Sequence, residues 1–281
     1  MRRINRPEFT VEEVLGACVD NMTDAITKSE FEKASSVKIL KDAELDFDNK
    51  KLTNTIYLIP KSLGINNIID ASKLTNLYTG RLVNKNNKGR KYYDKILSSA
   101  PNGLCPLCNQ RNATTLDHYL PKSKYPLLSI VPLNLVPACK DCNTGKLCDS
   151  PCNNVEETLH PYYDNVEDFI WLKSNVRSPK PFLIEYYTDP PADIDPLLRD
   201  RIKYHFDNFS LGRLYKVHAA EEFANIKIQL ANVFRKGGQD ALVDFLKECH
   251  YSREITNKNS WQTAFYWGLL NSGDFCNGAF I

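Results

Sequence analysis

The stretch "LDHYLPKSKYPLLSIVPLNLVPACKDCN", Leu116 to Asn143, decides the reading of this chain. It lies behind "CPLC" (Cys105 to Cys108) and ends in "CKDC" (Cys139 to Cys142). Thiolates two residues apart can turn toward one ion, and two such pairs complete a closed tetrahedral set of the kind that holds structural zinc. The segment between the pairs, 109–138, is 30 residues long. A common zinc ribbon has about 15–20 there, so something is inserted. The insert reads as two short strands, "ATTLDHYL" and "YPLLSIVPLNLVPA", followed by the start of a helix in "KDCNTGKLC". Two strands and a helix pinned by zinc form a ββα unit.

Those residues carry a resemblance. Asp117-His118, the downstream Asn134-Leu135 and the C-x-x-C-N-x-x-K of Cys139 to Lys146 resemble the HNH endonuclease family in its zinc-stabilised form, over about 40 of the 281 residues. The resemblance implies a ββα-metal fold that cuts nucleic-acid phosphodiesters with one divalent ion. It makes His118, Asn134 and Asn143 the three signature positions, an H-N-N type. His118 is then the general base, since a neutral imidazole titrating near physiological pH can take a proton from water. Mg²⁺ or Mn²⁺ wants oxygen ligands, which Asp117 and Asn143 supply. Asn134 is expected to brace the loop that carries the base. Lys122, Lys124, Lys140 and Lys146 surround the unit and suit phosphates, with Lys146 one helical turn past Asn143. The module's setting between helical flanks is similar to bacterial anti-phage nucleases of the Septu type, whose HNH subunit PtuB works with an ATPase partner. The implied substrate is nucleic acid, DNA ahead of RNA.

One physical condition accompanies this reading. Successive side chains on a regular strand face opposite ways, so Asp117 and His118 share a cleft only if the strand bends, bulges or ends there. Pro121 favours an ending.

The rest of the chain is read around this centre. Nine cysteines, an odd number without an export signal, fit a reduced cytoplasm rather than a disulfide scaffold. Cys18, Cys249 and Cys276 stand alone as small apolar residues. Cys148 and Cys152 could compete as ligands or hold a second ion with His160, and are read as structural thiols. His160, in "LHPYYD", is a structural histidine or an accessory group of the site. A formal charge of +2 puts no global field on the chain, so basic surface must be local. The run Gly80 to Lys95 has six Lys or Arg against one Asp, with Tyr92 and Tyr93 among them. Read as a basic loop, it offers Arg90 and Lys91 to a nucleic-acid backbone. No run reaches the roughly 18 apolar residues of a membrane span.

Helical periodicity covers 10–47, with a capping box at Thr10 and Glu13. It returns from about 196, is stopped by Gly237-Gly238, and resumes in a last helix behind Ser260. "PKPFLIEYY" (179–187) reads as a strand. The expected class is α+β, mostly helical around a central zinc-bound ββα-metal module. Its parts are a helical region 1–99 with the basic loop 80–95, the module 100–165, and a mostly helical region 166–281. The flanking helices are expected to cover the module.

Overall fold

The computed structural model describes residues 1–145 and 150–281. Lys146 and Cys148 lie outside the described residues. The protein is α+β and mostly helical, with small antiparallel sheets. It divides into two compact units, Arg2–Asp164 and Asn165–Ile281 together with Met1. The helical start and the cysteine-rich centre thus fall in one unit, where the sequence suggested two parts.

The first unit opens with α1 (Val11–Val19), whose Thr10/Glu13 capping box forms as the sequence predicts. The periodic stretch 10–47 is not one helix. Asp24 caps α2 (Ala25–Glu32) and a break at Lys33 precedes α3 (Ala34–Leu52). The extended backbone of Lys33 (φ −62°, ψ 136°) ends one helix and starts the next, which hydrophobic spacing alone does not reveal. Next comes α4 (Ala71–Asn76), capped by Asp70 and continued by a π-helical turn over Leu77–Leu82.

The expected basic loop 80–95 is a turn over 83–89 with helix at both its ends. After the π turn the chain bends and enters α5 (Arg90–Ser98), with Tyr92, Tyr93 and Ile96 buried on one face. Tyr92 and Tyr93 are therefore core rings and not platforms for bases. Arg90 is also spent internally. Its Nη1 donates to the Val83 carbonyl at 2.6 Å, its Nε to Asp94 at 2.9 Å, and its guanidinium lies 4.4 Å from the Tyr93 ring centre.

The ββα expectation meets β1 (Thr115–His118), β2 (Leu135–Ala138) and α6 (Lys140–Thr144). The strands are antiparallel, Thr115 opposite Ala138 and His118 opposite Leu135. The second strand is much shorter than "YPLLSIVPLNLVPA", because its prolines start 3₁₀ turns at 126–128 and 132–134. Four-residue strands bury too little to stand alone. Here α5 packs on both of them and α3 on the turns that join them. One apolar core runs through Phe31, Leu40 and Phe47 to Leu116, Leu120 and Val131.

Behind the hairpin a polar clasp is wholly buried. Lys51 Nζ lies 3.0 Å from Glu157 Oε2, both side chains fully shielded, while Glu157 Oε1 accepts the Ile56 N–H at 2.8 Å. Tyr119 donates its hydroxyl to Thr158 O at 2.6 Å, and Tyr162 to Leu135 O at 2.7 Å. The segment 157–162 is stitched to the back of the strands by these bonds.

The second unit is a helix-covered hairpin. β3 (Leu172–Pro179) and β4 (Phe182–Thr188) pair with a bulge between Val176 and Ser178. The sequence foresaw the second strand only. Around them lie α7 (Pro196–Asn208), α8 (Leu211–Glu254), α9 (Trp261–Leu270) and α10 (Gly273–Cys276). α8 breaks at Gly238 (φ 70°, ψ −158°), where the glycine pair was expected to stop a helix. α9 and β3 approach closely enough that a Cβ at Gly268 would fall 2.1 Å from Ser174 Oγ. Trp261, Phe265 and Tyr266 are buried, so the aromatic stripe of α9 is core. Among the described residues no helix is long and apolar enough to cross a membrane.

The clasp has a measurable consequence. Lys51→Met strands the Glu157 carboxylate in the core and should cost about 3–5 kcal/mol of stability in urea denaturation. Lys51→Met/Glu157→Gln should recover part of that, since the amide still accepts the Ile56 N–H.

Candidate active site and metal centre

The two Cys-x-x-Cys turns are shaped by local backbone chemistry. Around Cys105 a tight hairpin forms: Cys105 N–H donates to Arg111 O at 2.7 Å, and Asn109 N–H to Cys105 O at 2.7 Å. Asn109 takes the left-handed conformation (φ 51°) that such a reversal needs. The second pair starts a helix: Cys139 is the N-cap of α6, and its sulfur accepts the Cys142 N–H at 3.4 Å. An Arg111–Asp141 ion pair at 2.9 Å joins the two turns at the surface.

All four sulfurs converge. Cys105, Cys108, Cys139 and Cys142 are buried and their Sγ atoms lie within 4.8 Å of one another, with Cys108 and Cys139 at 4.0 Å. That is too far for a disulfide, whose sulfurs are about 2.05 Å apart. Tetrahedral bonds of about 2.3 Å put sulfurs about 3.8 Å apart, so the set fits a metal ion such as zinc. Hydrogen bonds among the four thiols lower Cys108 and Cys139 and raise Cys105 and Cys142. Burial instead pushes the solitary Cys18 up to about 12, an inert thiol. Cys152 is exposed and outside the cluster, its N–H donating to Glu156 at 2.8 Å.

Beside the cluster lies a cleft of about 560 Å³, lined among others by Ser72, Thr75, Asp117, His118, Lys122 and Asn143. Residues distant in sequence meet here because β1 leads out of one Cys turn and α6 out of the other. β1 keeps a regular register through both residues, Asp117 opposite Val136 and His118 opposite Leu135, without the bend or bulge that the sequence reading looked for; it ends at His118, and both residues line the cleft.

His118 is 8% exposed, and its Nε2 lies 2.9 Å from the Ser129 carbonyl oxygen. A carbonyl only accepts, so Nε2 carries the hydrogen and the lone pair of the neutral ring is on Nδ1. Tyr78 packs its ring against the imidazole, with centroids 4.3 Å apart at 68°, and its hydroxyl donates to Leu116 O at 3.1 Å. Asn143 donates from Nδ2 to Thr115 Oγ1 at 3.4 Å, so what it offers a cation is its carbonyl oxygen. Lys122 reaches the cleft with its ammonium 5.4 Å from the centre of the Tyr78 ring.

Asn134, grouped with the catalytic residues on the sequence, is fully buried and does not line the cleft. Its Oδ1 accepts the Leu120 N–H at 2.7 Å, and its Nδ2 donates to Leu120 O at 3.0 Å and Leu128 O at 3.1 Å. It thereby holds the loop that ends at Ser129, the residue receiving His118.

His160 is likewise a core residue and not part of the cleft. Its Nε2 donates to Leu133 O at 3.1 Å, its Nδ1 accepts the Tyr162 N–H at 3.2 Å, and the Tyr119 ring lies 4.5 Å away. Arg90 and Lys91 do not line the cleft either. Lys91 sits over Tyr92 at 4.8 Å, on a separate groove beside Phe9 and Lys95. Lys140 is an exposed residue of α6.

The sequence reading missed the wall contributed by α4, Ala71, Ser72 and Thr75, and the Tyr78 ring that packs against His118 from the π turn. Nothing local marks them, since they read as ordinary helix residues and act through a tertiary contact.

No family model matches this chain, and no solved structure matches it. It is similar to Protein ea31 of Escherichia phage lambda, 28% identical over 300 residues that span 99% of this chain and 100% of that one.

Two measurements follow from the geometry. Elemental analysis of purified protein should find about one thiolate-bound ion per chain, and Cys139→Ser should lose both the ion and cooperative unfolding. Asn134→Ala leaves three buried backbone groups without their partner and should cost about 2–4 kcal/mol, with the metal content unchanged.

Proposed function

We propose that this protein is a divalent-metal-dependent nuclease of the HNH type, held together by structural zinc. The observation that carries the reading is one cleft containing Asp117, His118 and Asn143, beside four converging cysteine sulfurs. A nucleic-acid binder without catalysis has no use for a buried imidazole beside a carboxylate.

In this reading the chemistry divides among the residues as follows. His118 accepts the proton of the attacking water at Nδ1, while Nε2–H on the Ser129 carbonyl fixes the tautomer and steadies the imidazolium that forms. Asp117 and Asn143 hold Mg²⁺ or Mn²⁺ through oxygen. When bound, that ion neutralises charge on the phosphate and the leaving oxygen. Lys122 meets a phosphate oxygen from the cleft wall. The four thiolates hold Zn²⁺ with no open position, so zinc does no chemistry here. The metal and base act on the phosphate, so DNA and RNA are both chemically competent substrates. The Septu-like setting implies defence against phage or foreign DNA with an ATPase partner. The similarity to a phage lambda protein adds a second setting, a nuclease carried by the phage itself.

The test is direct. Purified protein is incubated with supercoiled plasmid and with total RNA, each with Mg²⁺, Mn²⁺ or EDTA, beside His118→Ala. Cleavage should need the divalent ion and fall about 10²–10⁴-fold in the variant. Undiminished cleavage by His118→Ala would remove it as the base, and intact plasmid and RNA under every condition would count against a nuclease acting alone.

A further inference from the structure

We propose that Tyr78 is a positioning residue for His118, supplied by the helical flank rather than by the ββα unit; this rests on His118 being the base. Three observations converge on it. The Tyr78 ring meets the imidazole at 4.3 Å and 68°, a close edge contact. Its hydroxyl donates to the carbonyl of Leu116, two residues before His118 on the same strand, at 3.1 Å. Its own backbone lies in the π-helical turn Leu77–Leu82, and π turns recur at functional sites because the widened turn re-aims side chains.

The geometry has a specific effect. The Nε2–H bond to Ser129 O does not by itself fix the imidazole, whose ring can turn about its Cβ–Cγ bond and swing off that carbonyl. A ring packed against its side and anchored to the same strand removes the swing. Nδ1 is then kept in the cleft, where the water proton must go. The residue is 7% exposed, so it acts as a fixed wall and not as a mobile side chain. Lys122 lies over the same ring at 5.4 Å, so one aromatic group supports both the base and a phosphate-binding cation.

Tyr78→Met keeps apolar volume and removes the ring, and Tyr78→Phe keeps the ring and removes the anchor. Both are made in the full chain and checked for metal content and melting temperature. Two readouts separate positioning from simple structural support. The first is the long-range ¹H–¹⁵N imidazole spectrum, with His118 assigned by its loss in His118→Gln. Wild type and Tyr78→Phe should show the Nε2–H tautomer, and Tyr78→Met a mixture. The second is plasmid cleavage, where Tyr78→Met should lower kcat about 10–100-fold. KM should stay within about threefold, and the Tyr78→Met change should add no further loss in a His118→Ala background.

An unchanged tautomer in Tyr78→Met, or an equal loss in the His118→Ala background, would overturn the positioning role and leave the nuclease reading standing. The same tautomer mixture in Tyr78→Phe as in Tyr78→Met would also overturn it, because the ring is still present there. If wild type cuts neither DNA nor RNA, a nuclease acting alone is excluded, and the tautomer spectrum still decides whether Tyr78 holds His118.

Discussion

The meeting of four cysteine sulfurs is the constraint on which the first unit depends. Cys105 and Cys108 lie at one end of the 30-residue insert and Cys139 and Cys142 at the other. Closing a chain segment of that length costs about 3–4 kcal/mol in configurational entropy, more than two four-residue strands can recover from their own pairing. A cation bound by the thiolates would offset that cost and fix where β1 leaves one turn and α6 leaves the other. Asp117 and Asn143, 26 residues apart in the chain, share a cleft for this reason.

A second tier of constraints turns that closure into defined side-chain positions. Asn134 spends its whole amide on the loop between the strands, which sets the Ser129 carbonyl, which in turn sets the His118 tautomer. From behind, the buried Lys51–Glu157 pair and the Tyr119 and Tyr162 hydroxyls hold the same loop and strands. Buried polar groups of this kind are costly unless fully satisfied. Satisfied, they resist the small displacements that an apolar core of equal size would tolerate. The cleft is thus stiff on the side that carries the imidazole.

His118 and His160 show how little residue type says without context. Both are buried, and each places Nε2 on a backbone carbonyl. His160 gives its other nitrogen to the Tyr162 N–H inside a ring of aromatics, so it is a packing group. His118 has a cleft beside it. The cysteines divide in the same way: Cys18, buried alone, becomes a poor acid, while Cys139 lies among three other converging sulfurs.

The sequence by itself determined what depends on short spacing and local backbone preference. The paired Cys-x-x-Cys turns, the capping box at Thr10, the ending of β1 near Pro121, the break at Gly237-Gly238 and the mostly helical class could all be read from it, because each rests on residues a few positions apart. It also marked Asp117, His118 and Asn143 as belonging together. Tertiary structure decided what rests on contacts between distant segments. It placed the end of the basic run on α5, whose tyrosines are core, since Ile96 and both rings are buried where α5 packs on the strands. It set Asn134 to bracing the loop and His160 in the core, took Arg90 and Lys91 away from the cleft, and packed Tyr78 from the helical flank against His118. Side-chain burial and tautomer depend on which partner arrives from elsewhere in the chain, and no local pattern carries that.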